Sequence, residues 1–123
     1  MKITTFNPMI LSKNAGDLIR LFEELGFEKT HEPTVETVKG SVTSTRLKDA
    51  NGFHIDIAGV QSMEKDMTVI RMNVDDFDEG FKMLSEKGFV HNGGGKPVES
   101  ESNKSALMIS PSGFAFDLCQ HIK

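Results

Sequence analysis

One phrase occurs twice in this chain. Asn51-Gly-Phe-His-Ile-Asp-Ile57 returns as Ser112-Gly-Phe-Ala-Phe-Asp-Leu118. Gly52 answers Gly113, Phe53 answers Phe114 and Asp56 answers Asp117, each pair set apart by the same 61 positions. A turn precedes each copy: Asp49-Ala-Asn-Gly52, where Asn-Gly accepts positive φ, and Ser110-Pro-Ser-Gly113. Repetition at this period marks a duplicated unit, and a duplicated unit decides the architecture. Each copy also carries an acid among apolar strand residues, Asp56 in one and Asp117 in the other.

The order of elements around the phrase repeats too. Ile3 to Leu11 reads as a strand, with Pro8 at a sheet edge or where a hydrogen bond is not required. Asn14 is a candidate helix cap, and Asp17 suits the first turn. Leu18, Leu21, Phe22 and Leu25 form one apolar face of the helix. Gly26 ends it, and Phe27 packs back. Glu28 to Thr37, with Pro33 inside, is a weak, exposed strand. Ser41 to Lys48 and Phe53 to Val60 are stronger strands. After a polar linker, Gln61 to Lys65, the series starts again. Met67 to Val74 is a strand. Asp76 to Glu79 resembles a capping box, with Glu79 reaching back to the cap. Phe77, Gly80, Phe81 and Leu84 are the buried face of a second helix. Gly93-Gly-Gly95 reads as a loop or bulged strand start that could act as a mobile edge, and it lacks the pattern of a phosphate loop. Val98 to Ser102 is a short strand, and Ala106 to Ile109 pairs with Phe114 to Gln120. The prediction is an α+β chain of two βαβββ modules, 1–61 and 66–123, forming a curved mixed sheet with a concave ligand cleft. A single ferredoxin-like βαββαβ sheet leaves the second hairpin of each half unexplained.

Composition narrows the function classes. The chain has 123 residues, a net charge of −4 and scattered basic residues, which argues against a nucleic-acid surface. No run of apolar residues is long enough to span a membrane. The first residues show no signal-peptide pattern, and the single cysteine, Cys119, fits a reducing cytoplasm and excludes a multi-cysteine metal site. Seven Met and nine Phe supply the bulky apolar volume, either as core filler or as an adaptable pocket lining.

Strand alternation sorts the faces. Phe53, Ile55 and Ile57 are expected against the first helix, with His54, Asp56 and Ala58 in the cleft. Phe114, Phe116 and Leu118 are expected against the second helix, with Ala115, Asp117 and Cys119 in the cleft. Ile70, Met72 and Val74 take the helix side, which sends Val69, Arg71 and Asn73 inward. Asn7, Met9 and Leu11 line the cleft from the first strand. From the third strand either Thr45 or Arg46 faces inward.

The chain resembles the vicinal oxygen chelate superfamily, which includes glyoxalase I, extradiol dioxygenases, and the bleomycin and fosfomycin resistance proteins. The resemblance covers nearly the whole chain. It rests on Asp17-Leu-Ile-Arg-Leu-Phe-Glu-Glu-Leu-Gly-Phe27, on Val74-Asp-Asp-Phe77, and on the two turn-plus-strand phrases. It implies a single glyoxalase-like domain over 1–123. Metal-dependent members hold a divalent ion with His, Gln or Glu side chains from four strands. Carried over, those places fall on Asn7, Asp56, Val69 and Asp117. Valine cannot bind a metal, and each Asp is a methylene shorter than Glu. Asn7, Asp56 and Asp117 are therefore weak metal candidates, and no cofactor is assigned beyond a possible divalent metal.

Three functions stay open. In the first, the cleft binds a small, partly apolar molecule by sequestration, as bleomycin-resistance-like members do, and the protein is a homodimer. Its candidate walls are Met9, Leu11, His54, Asp56, Val69, Arg71, Asn73 and Asp117. In the second, a divalent metal serves a lyase or isomerase of the glyoxalase I type. In the third, the chain is a non-catalytic protein-interaction subunit. Asp56 and Asp117 are either an interacting acid pair able to move a proton or former ligand positions paired with Arg71. His54 is a possible base or a satisfied wall residue. Arg71 must find a carboxylate, on the protein or on a ligand anion. Cys119 is expected to be inert, and His31, His91 and His121 to be solvated.

Overall fold

The computed structural model describes residues 1–32, 34–37, 40–91, 98–99 and 103–121. Pro33, the Gly93–Gly95 run and the end of the expected 98–102 strand lie outside the described residues. The chain is α+β. Its order is β1 (Ile3–Ser12), α1 (Ala15–Glu24), β2 (Glu28–His31), β3 (Thr34–Thr37), β4 (Gly40–Lys48), β5 (His54–Gly59), β6 (Met67–Val74), α2 (Phe77–Glu86), β7 (Val90–His91), β8 (Val98–Glu99), β9 (Asn103–Ile109) and β10 (Ala115–His121). Neither helix is long and apolar enough to cross a membrane. The contacts divide the chain into two compact units: Asn7–Thr68, and Met1–Phe6 with Val69–Lys123.

In the Asn7–Thr68 unit, β1 runs parallel to β5, with Met9 opposite Asp56 and Leu11 opposite Ala58. That ladder begins just after Pro8, which has no N–H to give. Parallel strands need a crossover, and α1 lies within it. β5 pairs antiparallel with β4, setting Arg46 opposite Asp56 and Lys48 opposite His54. β2 and β3 both pair antiparallel with β4. The stretch read as one weak strand is therefore two.

The apolar layer here is Leu47, Ile55 and Ile57, with Ile10, Ala15, Leu18, Ile19, Phe22 and Phe27 packed against it. Each fully buried Leu or Ile contributes about 2 kcal/mol. The expected helix face is partly corrected. Ala15, Leu18, Ile19 and Phe22 make an i, i+3, i+4, i+7 stripe that rests on the sheet, while Leu21 and Leu25 are 47% and 63% exposed. Two stripes of the same period share Leu18 and Phe22, and the one starting at Ala15 is the one that packs. At the helix end, Gly26 takes φ 105°, and Phe27 N–H donates to the Phe22 carbonyl at 3.0 Å. The Phe22 and Phe27 rings meet edge to face at 5.5 Å, so the expected packing-back of Phe27 is present.

The Asn14 cap is also corrected. Its side chain makes no capping bond, because φ −109°, ψ 41° is not the extended conformation that aims a cap side chain at the first turn. The Asn14 N–H instead donates to Ser12 Oγ at 2.9 Å.

In the other unit, β6 runs parallel to β10, with Arg71 opposite Asp117 and Asn73 opposite Cys119. β10 pairs antiparallel with β9, and β7 and β8 both pair with β9. The strand path β7-β9-β10-β6 repeats the path β2-β4-β5-β1 of the first unit. Phe77, Gly80 and Leu84 are buried on α2, and Phe77 and Leu84 pack with Met72, Val74, Met108 and Leu118. Asp76 caps α2 by accepting from the Glu79 N–H at 3.1 Å. Glu79 does not reach back as a capping box requires; its carboxylate meets the Met1 amino group at 3.2 Å.

Phe53 and Phe114 were expected on the helix side, yet they are 65% and 49% exposed. Each lies one residue before its strand, still in the turn, where alternation does not yet hold. The turns are tied by different side chains in one manner. Asp49 Oδ1 accepts from the N–H groups of Asn51 and Phe53 at 3.0 and 2.9 Å. Ser110 Oγ accepts from those of Gly113 and Phe114 at 3.0 and 3.1 Å. Phe114 packs edge-on against Phe89 and Phe116 instead.

Candidate ligand site

Leu47, Ile55 and Ile57 face α1, so alternation turns Arg46 and Asp56 to the other face of their strands. Asp56 is only 1% exposed. A buried carboxylate is costly unless it is paired and hydrogen-bonded. Both of its oxygens are engaged. Arg46 grips it with two prongs, Nε at 3.0 Å from Oδ1 and Nη2 at 3.2 Å from Oδ2. Asn7 Nδ2 donates to Oδ2 at 2.9 Å and to the Pro8 carbonyl at 2.8 Å.

Those two bonds fix the amide of Asn7; turned over, it would set oxygen against oxygen. Its Oδ1 is thereby left buried with no hydrogen-bond partner among the described residues. Met9, the ladder neighbour of Asp56, is buried, and Leu11 is half-buried. His54 is exposed, opposite Lys48.

In the other unit the predicted residues are arranged differently. Val69 is buried, as is Asn73. Arg71 is half-buried, and its Nε donates to Asn73 Oδ1 at 3.3 Å. Asp117 is half-buried and accepts from the Cys119 thiol at 3.6 Å, and Cys119 itself is buried. His31 and His121 are exposed as expected, but His91 is half-buried beside the Phe81 ring at 6.5 Å.

Taken residue by residue, the places that the resemblance assigns to a divalent ion do not suit one. Val69 offers no donor atom. Both Asp56 oxygens already face N–H donors, one pair of them on a cation, and Asn7 turns its nitrogen toward that carboxylate. A metal at Asp56 would have to displace Arg46 and sit beside its charge. Among the described residues no group of three or more His, Cys, Asp or Glu side chains could hold a metal ion.

Sequence reasoning left Arg46 undecided against Thr45. The signal was in Leu47. Once Leu47 belongs to the apolar layer, its neighbour Arg46 must face the other way. Thr45 instead bonds Glu32 Oε2 at 2.8 Å. A separate shallow hollow, lined by Gly26, Glu28, Thr30, Lys48, Asp49 and Ala50, contains none of the candidate ligand residues.

No family model matches the chain, and no curated protein matches it. Solved structures do. Methylmalonyl-CoA epimerase from Mycobacterium tuberculosis is similar at a TM-score of 0.68 and 13% identity, over 98% of this chain and 90% of that one. A glyoxalase/bleomycin resistance protein/dioxygenase superfamily member from Vibrio splendidus 12B01 is similar at 0.61 and 18%, over 98% and 100%. Glyoxalase I from Zea mays is similar at 0.65 and 16%, over 98% of this chain but only 44% of the maize chain. At these identities the likeness concerns the fold: the chain has the vicinal oxygen chelate fold.

Proposed function

We propose that this chain binds a small, partly apolar molecule at the sheet face that carries Asp56, without the four-ligand divalent site of the metal-dependent proteins of this fold. The observation that carries the reading is the state of Asp56. The carboxylate at a metal-ligand place is buried, gripped by Arg46 and bonded by Asn7. Bonds to Arg46 and Asn7 make it a fixed part of the wall. Half-buried Leu11 supplies apolar surface on the same face, with Met9 buried behind it, and Arg46 supplies a polar handle, the usual mix of a small-molecule site.

Calorimetric titration of the purified chain with Ni²⁺, Zn²⁺, Co²⁺ and Mn²⁺ tests this. The expected result is no stoichiometric uptake. One equivalent bound near micromolar and abolished by Asp56→Ala would overturn the reading in favour of a metal-dependent lyase or isomerase.

A further inference from the structure

Arg46 is not used up by holding Asp56. A guanidinium carries five N–H donors, and Asp56 takes one from Nε and one from Nη2. The remaining Nη donors meet no acceptor among the described residues, and the Arg46 side chain is 27% exposed while that of Asp56 is 2% exposed. The carboxylate is therefore the buried partner and the guanidinium the more exposed one, its plane set by a two-pronged bond. A guanidinium held in this way is pre-organised for a planar or tetrahedral oxyanion, because little side-chain freedom remains to be lost on binding.

We propose that Arg46 is an oxyanion-binding residue, and that the ligand of this site carries a carboxylate or phosphate group seated on the Nη donors that Asp56 does not take. The inference rests on the metal-free reading of Asp56 and deepens it. Where metal-dependent proteins of this fold would place a cation over the carboxylate, this chain places the cationic head of Arg46. Lys48 and His54, opposite one another at the next same-face position, are both exposed. Lys48 has an acid, Glu28, opposite it in the ladder, whereas the fork of Arg46 is already held in place by Asp56.

The test uses the isotope-labelled full chain in NMR titrations with inorganic phosphate and, separately, with propionate, at constant ionic strength set by chloride. The Arg46 Nε–H resonance and the backbone amides of β4 and β5 are followed. Saturable shifts at Arg46 with one or both anions support the proposal, and the arm that saturates at lower concentration assigns phosphate or carboxylate. Arg46→Gln should weaken binding about tenfold or more, the loss expected for one charge-assisted contact. Arg46→Lys, which keeps the charge but not the fork, should fall between. Should Arg46→Gln fail to fold, Lys48→Gln and His54→Gln serve instead: retained shifts at Arg46 in both support it.

Shifts that grow linearly, that match those with chloride, or that vanish in Lys48→Gln rather than Arg46→Gln would overturn the proposal. Stoichiometric metal uptake defeats the underlying reading. Absent uptake together with a silent Arg46 defeats only the anion site.

Discussion

Asp56 and Asp17 show how differently two acid–base contacts weigh. Asp17 meets Arg20 on the surface of α1, with both side chains about 70% exposed, in water that screens the pair. Asp56 is 1% exposed, and Arg46 and Asn7 both bond its carboxylate. Arg46→Ala should therefore cost about 3 kcal/mol in urea unfolding, because it leaves a buried charge without its cation. Arg20→Ala should cost about 0.3 kcal/mol. Asp56→Ala should cost less than Arg46→Ala, since Arg46 lies near solvent and can turn outward. Equal losses for Arg46→Ala and Arg20→Ala would show that the buried pair is not what holds this face. Asp56 was legible in the sequence because it recurs as Asp117. Its partner was not, because Arg46 has no counterpart in the second half: Leu107 stands at the matching place.

Both helices are ten residues long, yet they are anchored differently. α2 has a side-chain cap from Asp76 and three buried residues. α1 has no side-chain cap and no buried residue, although half-buried side chains rest on the sheet. Asp76→Ala should thus destabilise by about 1 kcal/mol, the usual worth of a cap, and Asn14→Ala by a few tenths at most. Hydrogen exchange should show α1 opening more readily than α2, since none of its own residues is buried. Equal protection in the two helices would contradict this. Here the sequence offered two apolar stripes on α1 and one residue type at each cap. Periodicity gave the existence of both helices. It could not choose between the stripes, which share Leu18 and Phe22, nor foresee that Ser12 rather than Asn14 would act at the start of α1.

The duplicated phrase carries the architecture of the whole molecule. Two turns tied by Asp49 and Ser110 lead into β5 and β10, and each of these strands pairs parallel with the first strand of its series and antiparallel with the strand before it. The same fold hosts unrelated reactions, so architecture alone does not choose among them. The features that bear on the choice are local: Arg46 bonded to Asp56, Asn7 turning its nitrogen to the same carboxylate, and Val69 without a donor. The residues at the carried-over positions speak against a metal site, and the register of β4 against β5 seats a guanidinium at one of them.

Crystals of the chain soaked in Ni²⁺ or Mn²⁺ address that point directly, through anomalous difference density at Asp56. The account predicts no peak at coordination distance, about 2.1 Å from its oxygens, with Arg46 still bound to both. A peak bridging Asp56 and Asn7, with Arg46 swung away, would contradict it.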